Sequence, residues 1–194
     1  MISVVVPSGG AEPPAVATLA ALVPGAAAGL IREVFLVAPK GSDAIARVAD
    51  VAGCHFVAHD GTRAAALAEG ARQAHSPWLM FLHAGAVLDA GWIEETTHFI
   101  QNVSANGRER AAVFRYARPP FENAGMRSGM RSGMRRLARF IAGPAADQGL
   151  LISRTHYDRL GGYEPNARRA EAELLSKLGR TGRALLRTRI FVGA

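Results

Sequence analysis

The sequence predicts an α/β fold with a mostly parallel sheet flanked by helices, and three observations predict it. First, the early part of the chain carries four short apolar runs, at 2–6, 33–38, 55–58 and 78–82, each of strand length. Second, stretches with helical spacing or helix-capping residues separate them, so the first hundred residues read β-α-β-α-β-α-β, the order that makes a parallel sheet with crossover helices. Third, the connections between these pieces are short, as such units prefer. The 194 residues are enough for a single domain with a full core, and 49% hydrophobic content excludes a disordered chain.

Each element has a local reason. Ile2-Ser3-Val4-Val5-Val6 reads as a first strand, with no basic leader before it. Pro7-Ser8-Gly9-Gly10 is a turn, and Pro13-Pro14 can open a helix because the first turn has no use for their missing N–H groups. Val16, Leu19, Ala20 and Val23 keep helical spacing, and Pro24-Gly25 is expected to stop it. Glu33 to Ala38 is strand two. Ser42 or Asp43 caps a helix running to about Ala52. His55 to Ala58 is strand three, and Thr62 caps an alanine-rich helix to about Ala74. Trp78-Leu79-Met80-Phe81-Leu82 is a buried central strand. Helix is expected from Trp92 to Ile100, strand from Ala111 to Tyr116, and an apolar run at Leu150-Leu151-Ile152. Gly161-Gly162-Tyr163 is a turn, Arg168 to Leu178 a helix ended by Gly179, and Ala184 to Val192 a last strand.

Charge is unevenly placed. Residues 1–100 hold five Lys+Arg against nine Asp+Glu, and residues 101–194 hold eighteen against seven. Nearly all the basic residues are arginine, which suits phosphates and anionic surfaces as well as plain solvation. Met126, Met130 and Met134 recur at a period of four beside Arg127, Arg131, Arg135 and Arg139. Two readings fit: a basic amphipathic helix on an anionic membrane surface, or a surface helix packing its methionines on the sheet. No aromatic platform accompanies the arginines, so a nucleic-acid partner is not expected. The single Cys54 excludes an internal disulfide and a multi-cysteine metal site, which fits a cytoplasmic setting, with peripheral attachment at the inner membrane face if the arginine row binds lipid. No window approaches 18 uninterrupted apolar residues, so no membrane-spanning helix is expected. The histidines show no metal-ligand spacing, and neither a G-x-G-x-x-G nor a Walker lysine motif occurs.

Ligands of open α/β sheets bind just past the carboxyl ends of the strands. The stretch His83 to Asp89, after the central strand, is therefore the expected lip of a site.

Five pieces together carry a family likeness: ISVVVP at 2–7, EVFLVAPKGSD at 33–43, WLMFLHAG at 78–85, ADQGLLISRTHYDRLGGYEP at 146–165 and AEAELLSKLGRTGR at 170–183. The chain resembles the family 2 inverting glycosyltransferases of the GT-A fold, closest to a short bacterial branch related to arsenosugar-biosynthesis enzymes. The resemblance implies one GT-A-like domain over 1–194, with a nucleotide-sugar-binding half at 1–100 and an acceptor half at 101–194. It implies transfer of a sugar from a nucleotide-diphosphate sugar to a hydroxyl, with inversion. Glu171 would be the general base and Asp147 would help orient the acceptor. Pro7, Lys40, Ser42, Asp43, Arg63, His83 and Gly85 would flank the donor, and Gln148 and Arg154 the acceptor side.

The chain departs from the family at its acidic positions. The base or ribose aspartate after strand two is Ala38, the metal aspartate is Gly85, and the late Glu-Asp pair is Ala170-Glu171. The resemblance thus implies a Mg²⁺ or Mn²⁺ ion whose binding Gly85 weakens, and two outcomes: a metal-independent transferase, or a catalytically degenerate relative that acts as a binding protein.

Overall fold

The computed structural model describes residues 1–117 and 148–192. The Met/Arg repeat with Arg127, Arg131, Arg135 and Arg139, and also Asp147, lie outside the described residues. The first half is built as the sequence predicts. β1 (Ile2–Pro7), α1 (Glu12–Ala27), β2 (Ile31–Ala38), α2 (Asp43–Val51), β3 (His55–Ala58), α3 (Arg63–Gln73) and β4 (Trp78–Phe81) alternate in order. β1 pairs in parallel with β2 and β4, and β2 with β3. The carboxyl ends of all four strands therefore lie along one edge. Thr62 caps α3 as expected, its hydroxyl accepting from the Ala65 N–H at 3.1 Å.

The rest adds β5 (Ala86–Leu88), α4 (Trp92–Asn106), β6 (Ala111–Ala117), β7 (Leu150–Ser153), α5 (Arg154–Arg159), α6 (Ala170–Leu178) and β8 (Arg183–Val192). One eight-stranded sheet results, in the order β3-β2-β1-β4-β7-β6-β8-β5. β7 runs antiparallel to β4 and to β6, and β5 antiparallel to β8. Alternation along the strands feeds two cores. Val4, Val6, Leu36, Met80 and Phe114 face α1, α2 and α4, while Val5, Val37, Leu79, Phe81 and Leu150 face α3, α5 and α6.

Two expectations are corrected. Pro24-Gly25 does not stop α1, which runs on to Ala27 with Pro24 inside its last turn. A proline there forfeits only its own N–H bond, and the Pro24 carbonyl still accepts from Ala28. Gly25 is needed for packing: a Cβ there would overlap the Trp92 ring. Second, β5 and α5 go beyond the sequence reading. β5 has three residues, too few for a periodic signal, and is defined by pairing with β8 about a hundred residues later.

Glu95 on α4 clamps β8 to the sheet. Its carboxylate accepts from the Arg187 N–H at 2.6 Å, from the Thr188 N–H at 2.7 Å and from the Thr188 hydroxyl. Burial pushes its pKa up, but these donors outweigh burial and leave it below the ordinary glutamate value. A depressed folded-state pKa contributes stability that is present above the unfolded value and lost as pH falls through the folded one. Glu95→Gln should therefore destabilise the chain by about 1–3 kcal/mol at neutral pH. The gap to the wild type should close as pH drops below about 4.5, the value for an unperturbed glutamate. Urea melts of both proteins at pH 7 and in acid would show this; an unchanged gap in acid would remove the charge from the account.

Candidate active site

Beyond the carboxyl end of β4 the chain forms a pocket whose enclosed part is about the size of one water molecule. Phe81, Leu150 and Leu175 supply apolar walls, and Arg63, His83, Tyr163 and Glu171 supply polar ones. These four come from separate places: the first turn of α3, the loop after β4, the glycine turn after α5, and the first turn of α6. The Arg63 Nε donates to Glu171 Oε1 at 2.7 Å, and the His83 Nε2 lies 3.9 Å from the same oxygen. Arg63 and Glu171 are 108 residues apart in sequence, so the pair joins the two halves of the chain across the pocket.

The loop after β4 is anchored from beneath. Thr18 of α1 is fully buried, and its hydroxyl donates toward the carbonyls of Pro14 and His83, both at 3.2 Å. The same oxygen accepts from the Gly85 N–H at 2.9 Å, which also reaches the Pro14 carbonyl at 2.8 Å. Gly85 takes φ +90°, a region L side chains rarely adopt. Position 85, where the resemblance expects a metal aspartate, thus has a backbone conformation that disfavours a side chain.

Tyr163 is fixed by its own turn. Gly161 and Gly162 have φ of +79° and +63°, and the Tyr163 N–H donates to the Tyr157 hydroxyl at 3.0 Å. The Tyr163 ring meets Phe81 edge-on at 4.9 Å. Burial, followed by the nearby Glu171 charge, pushes its phenol well above the usual range, so it stays protonated and able to donate.

The expected site residues fall into separate groups. Arg63, His83 and Glu171 come together in the pocket. Pro7 ends β1 and Lys40, Ser42 and Asp43 follow β2, all toward the same edge, but none lines the pocket. Lys40 is exposed and faces Asp60 at 3.6 Å, while the Lys40 N–H donates to that carboxylate at 2.8 Å. Gln148 lies two residues before β7 and donates to the Phe114 carbonyl at 3.0 Å. Arg154 is a correction to the acceptor-side expectation. Antiparallel pairing sets Ser153 opposite Trp78, so Arg154 lies at the far end of β4 from the pocket. There its guanidinium donates to the carbonyls of Ala71, Ala74 and Ser76, closing the carboxyl end of α3. Thr18 and Tyr163 were missed as site-shaping residues. The only sequence signal for Tyr163 was its place after a double glycine.

No protein-family profile and no curated protein matches the chain. Solved structures do. A mannosyltransferase from Pyrobaculum calidifontis, in complex with GDP-Man and Mn²⁺, matches with a TM-score of 0.66 at 17% identity, over 98% of this chain and 56% of its own. Glucosyl-3-phosphoglycerate synthase from Mycobacterium tuberculosis, in complex with Mn²⁺, UDP and glucosyl-3-phosphoglycerate, matches with 0.66 at 15% identity, over 100% of this chain and 71% of its own. TarS from S. aureus, residues 1–349, matches with 0.69 at 11% identity, over 98% and 60%. The fold is GT-A. At such identities the likeness establishes architecture, and the chain spans little more than half of the mannosyltransferase.

Two of these GT-A structures hold Mn²⁺, so the fit of a metal to this chain can be tested on its own donors. Position 85 offers no side chain, and Glu171 is already engaged by Arg63. Among the described residues no three His, Cys, Asp or Glu side chains gather into a group that could hold a metal ion by themselves. The described residues do not form an all-protein cage for a divalent metal. Nor is any described helix long and apolar enough to cross a membrane.

Proposed function

We propose that the chain binds a nucleotide-diphosphate sugar along the carboxyl edge of β1 to β4 and transfers the sugar to a hydroxyl acceptor, with inversion, as a family 2 glycosyltransferase. The observation that carries this reading is Glu171. It is the one carboxylate retained from the late acidic pair, and it stands in the pocket beyond β4 beside Arg63 and His83. In the reaction the acceptor oxygen forms a bond to the sugar's anomeric carbon as the bond to the leaving diphosphate breaks. Glu171 takes the acceptor's proton. Arg63 and His83 orient that carboxylate. Lys40, Ser42 and Asp43, with Pro7, would flank the nucleotide, and Gln148 the acceptor side.

A second reading has its own support. The Arg63–Glu171 pair occupies the carboxylate a base would use, and Gly85 lacks the metal ligand. On that reading the chain is a binding protein that keeps the fold without turnover. Calorimetric titration with UDP- and GDP-sugars, with and without Mn²⁺, separates the cases. The transferase reading expects micromolar to millimolar binding, little changed by Mn²⁺, and release of nucleoside diphosphate when acceptor hydroxyls are supplied. Binding without release favours the second reading, and no binding to any donor removes the transferase reading.

A further inference from the structure

The Tyr163 hydroxyl makes no hydrogen bond to any described residue. Its ring is 4% exposed and packs against Phe81 at 4.9 Å and Tyr157 at 5.8 Å, contacts that a phenylalanine would make equally well. Its Oη is buried with no hydrogen-bond partner among the described residues. Tyr157 next to it provides the contrast, because its hydroxyl accepts the Tyr163 N–H. Leaving a buried hydroxyl unpaired is costly, and folded proteins keep few such groups without a reason. Tyr163 lines the pocket that also holds Glu171, Arg63 and His83, so a ligand there could satisfy it.

The neighbouring groups say what kind of ligand atom fits. Glu171 accepts and carries negative charge, which disfavours an anion against it. Arg63 and the phenol donate. A neutral hydroxyl, which donates and accepts at once, matches this mixture better than a phosphate. We infer that the Tyr163 Oη hydrogen-bonds a single hydroxyl that a bound sugar inserts into the water-sized Glu171 pocket, making Tyr163 a ligand-contact residue that selects for a polyhydroxylated group. This rests on the sugar-transfer reading above and names a residue of that site.

Tyr163→Phe tests it, with UDP-glucose and GDP-mannose as probes and UDP and GDP as references. Removing an unpaired hydroxyl should leave thermal stability unchanged or raised. Affinity for the sugar nucleotide that the wild type binds should fall about threefold to tenfold, while affinity for the bare nucleotide stays within about twofold. Equal sugar-nucleotide affinity in the two proteins would overturn the inference and leave the donor reading intact. A parallel loss for bare nucleotides, or a clear drop in melting temperature, would overturn it too, since either marks a structural role. A wild type that binds none of the four compounds would overturn the donor reading and this inference together.

Discussion

Replacing Glu171 with glutamine should lower the rate of sugar transfer by about 10²- to 10⁴-fold, the span a positioned general base contributes. The substitution keeps the size of the side chain and an oxygen that can still accept from the Arg63 Nε, which now holds Glu171 Oε1 at 2.7 Å. It removes the ability to take a proton. Donor affinity should therefore change little, and the loss should appear in turnover rather than in binding. The measurement is release of nucleoside diphosphate from whichever donor binds, at saturating donor and acceptor. A rate within about threefold of the wild type, below the general-base range, would sink Glu171 as the base and with it the assignment of the pocket's chemistry.

Gly162→Ala should be the most damaging small change to the fold near this site. Gly162 sits at φ +63°, which costs an L residue about 1 kcal/mol. An added Cβ would lie 2.8 to 2.9 Å from Cζ, Cε1 and Oη of Tyr157, a buried ring with little room to retreat. Overpacking of that kind costs about 1–3 kcal/mol. A loss of about 2–4 kcal/mol should lower the melting temperature by roughly 5–15 °C in a chain of this size. Displacing Tyr157 would also take the acceptor from the Tyr163 N–H and so disturb the pocket wall. Gly161→Ala is the control. It shares the positive φ, at +79°, but its nearest contact is the flexible Lys177 Nζ at 3.9 Å, so only the backbone cost applies. If Gly162→Ala melts no lower than Gly161→Ala, the Tyr157 contact does not constrain the turn.

The parallel half was legible because its signals are local. Val4-Val5-Val6 and Leu79-Met80-Phe81 are apolar on both faces, and helices cover both faces of β1 and β4. Thr62 declares a helix start by its own hydroxyl, which needs no distant partner. The likeness over 146–183 placed Glu171 among the candidates, and the fold brought it to the expected edge. Arg154 failed because its role depends on register. Only after β7 docks antiparallel on β4 does residue 154 fall opposite the end of α3 rather than beside the pocket. Tyr163 failed because an unpaired hydroxyl is a property of surroundings, and a tyrosine after two glycines looks the same whether or not its oxygen is satisfied.

By itself the sequence determined the alternation of strand and helix and so the strand edge beyond which the pocket lies, and it carries Ala38, Gly85 and Ala170 where the resemblance expects acidic residues. Burial patterns and capping chemistry act over a few residues, so they can be read along the chain. The tertiary structure alone decided that Arg63 meets Glu171, that Thr18 pins the 83–85 loop, and that Gly85, held by Thr18, takes a positive φ. Each of these joins segments tens of residues apart, and no short-range rule specifies contacts formed only when the sheet closes its order.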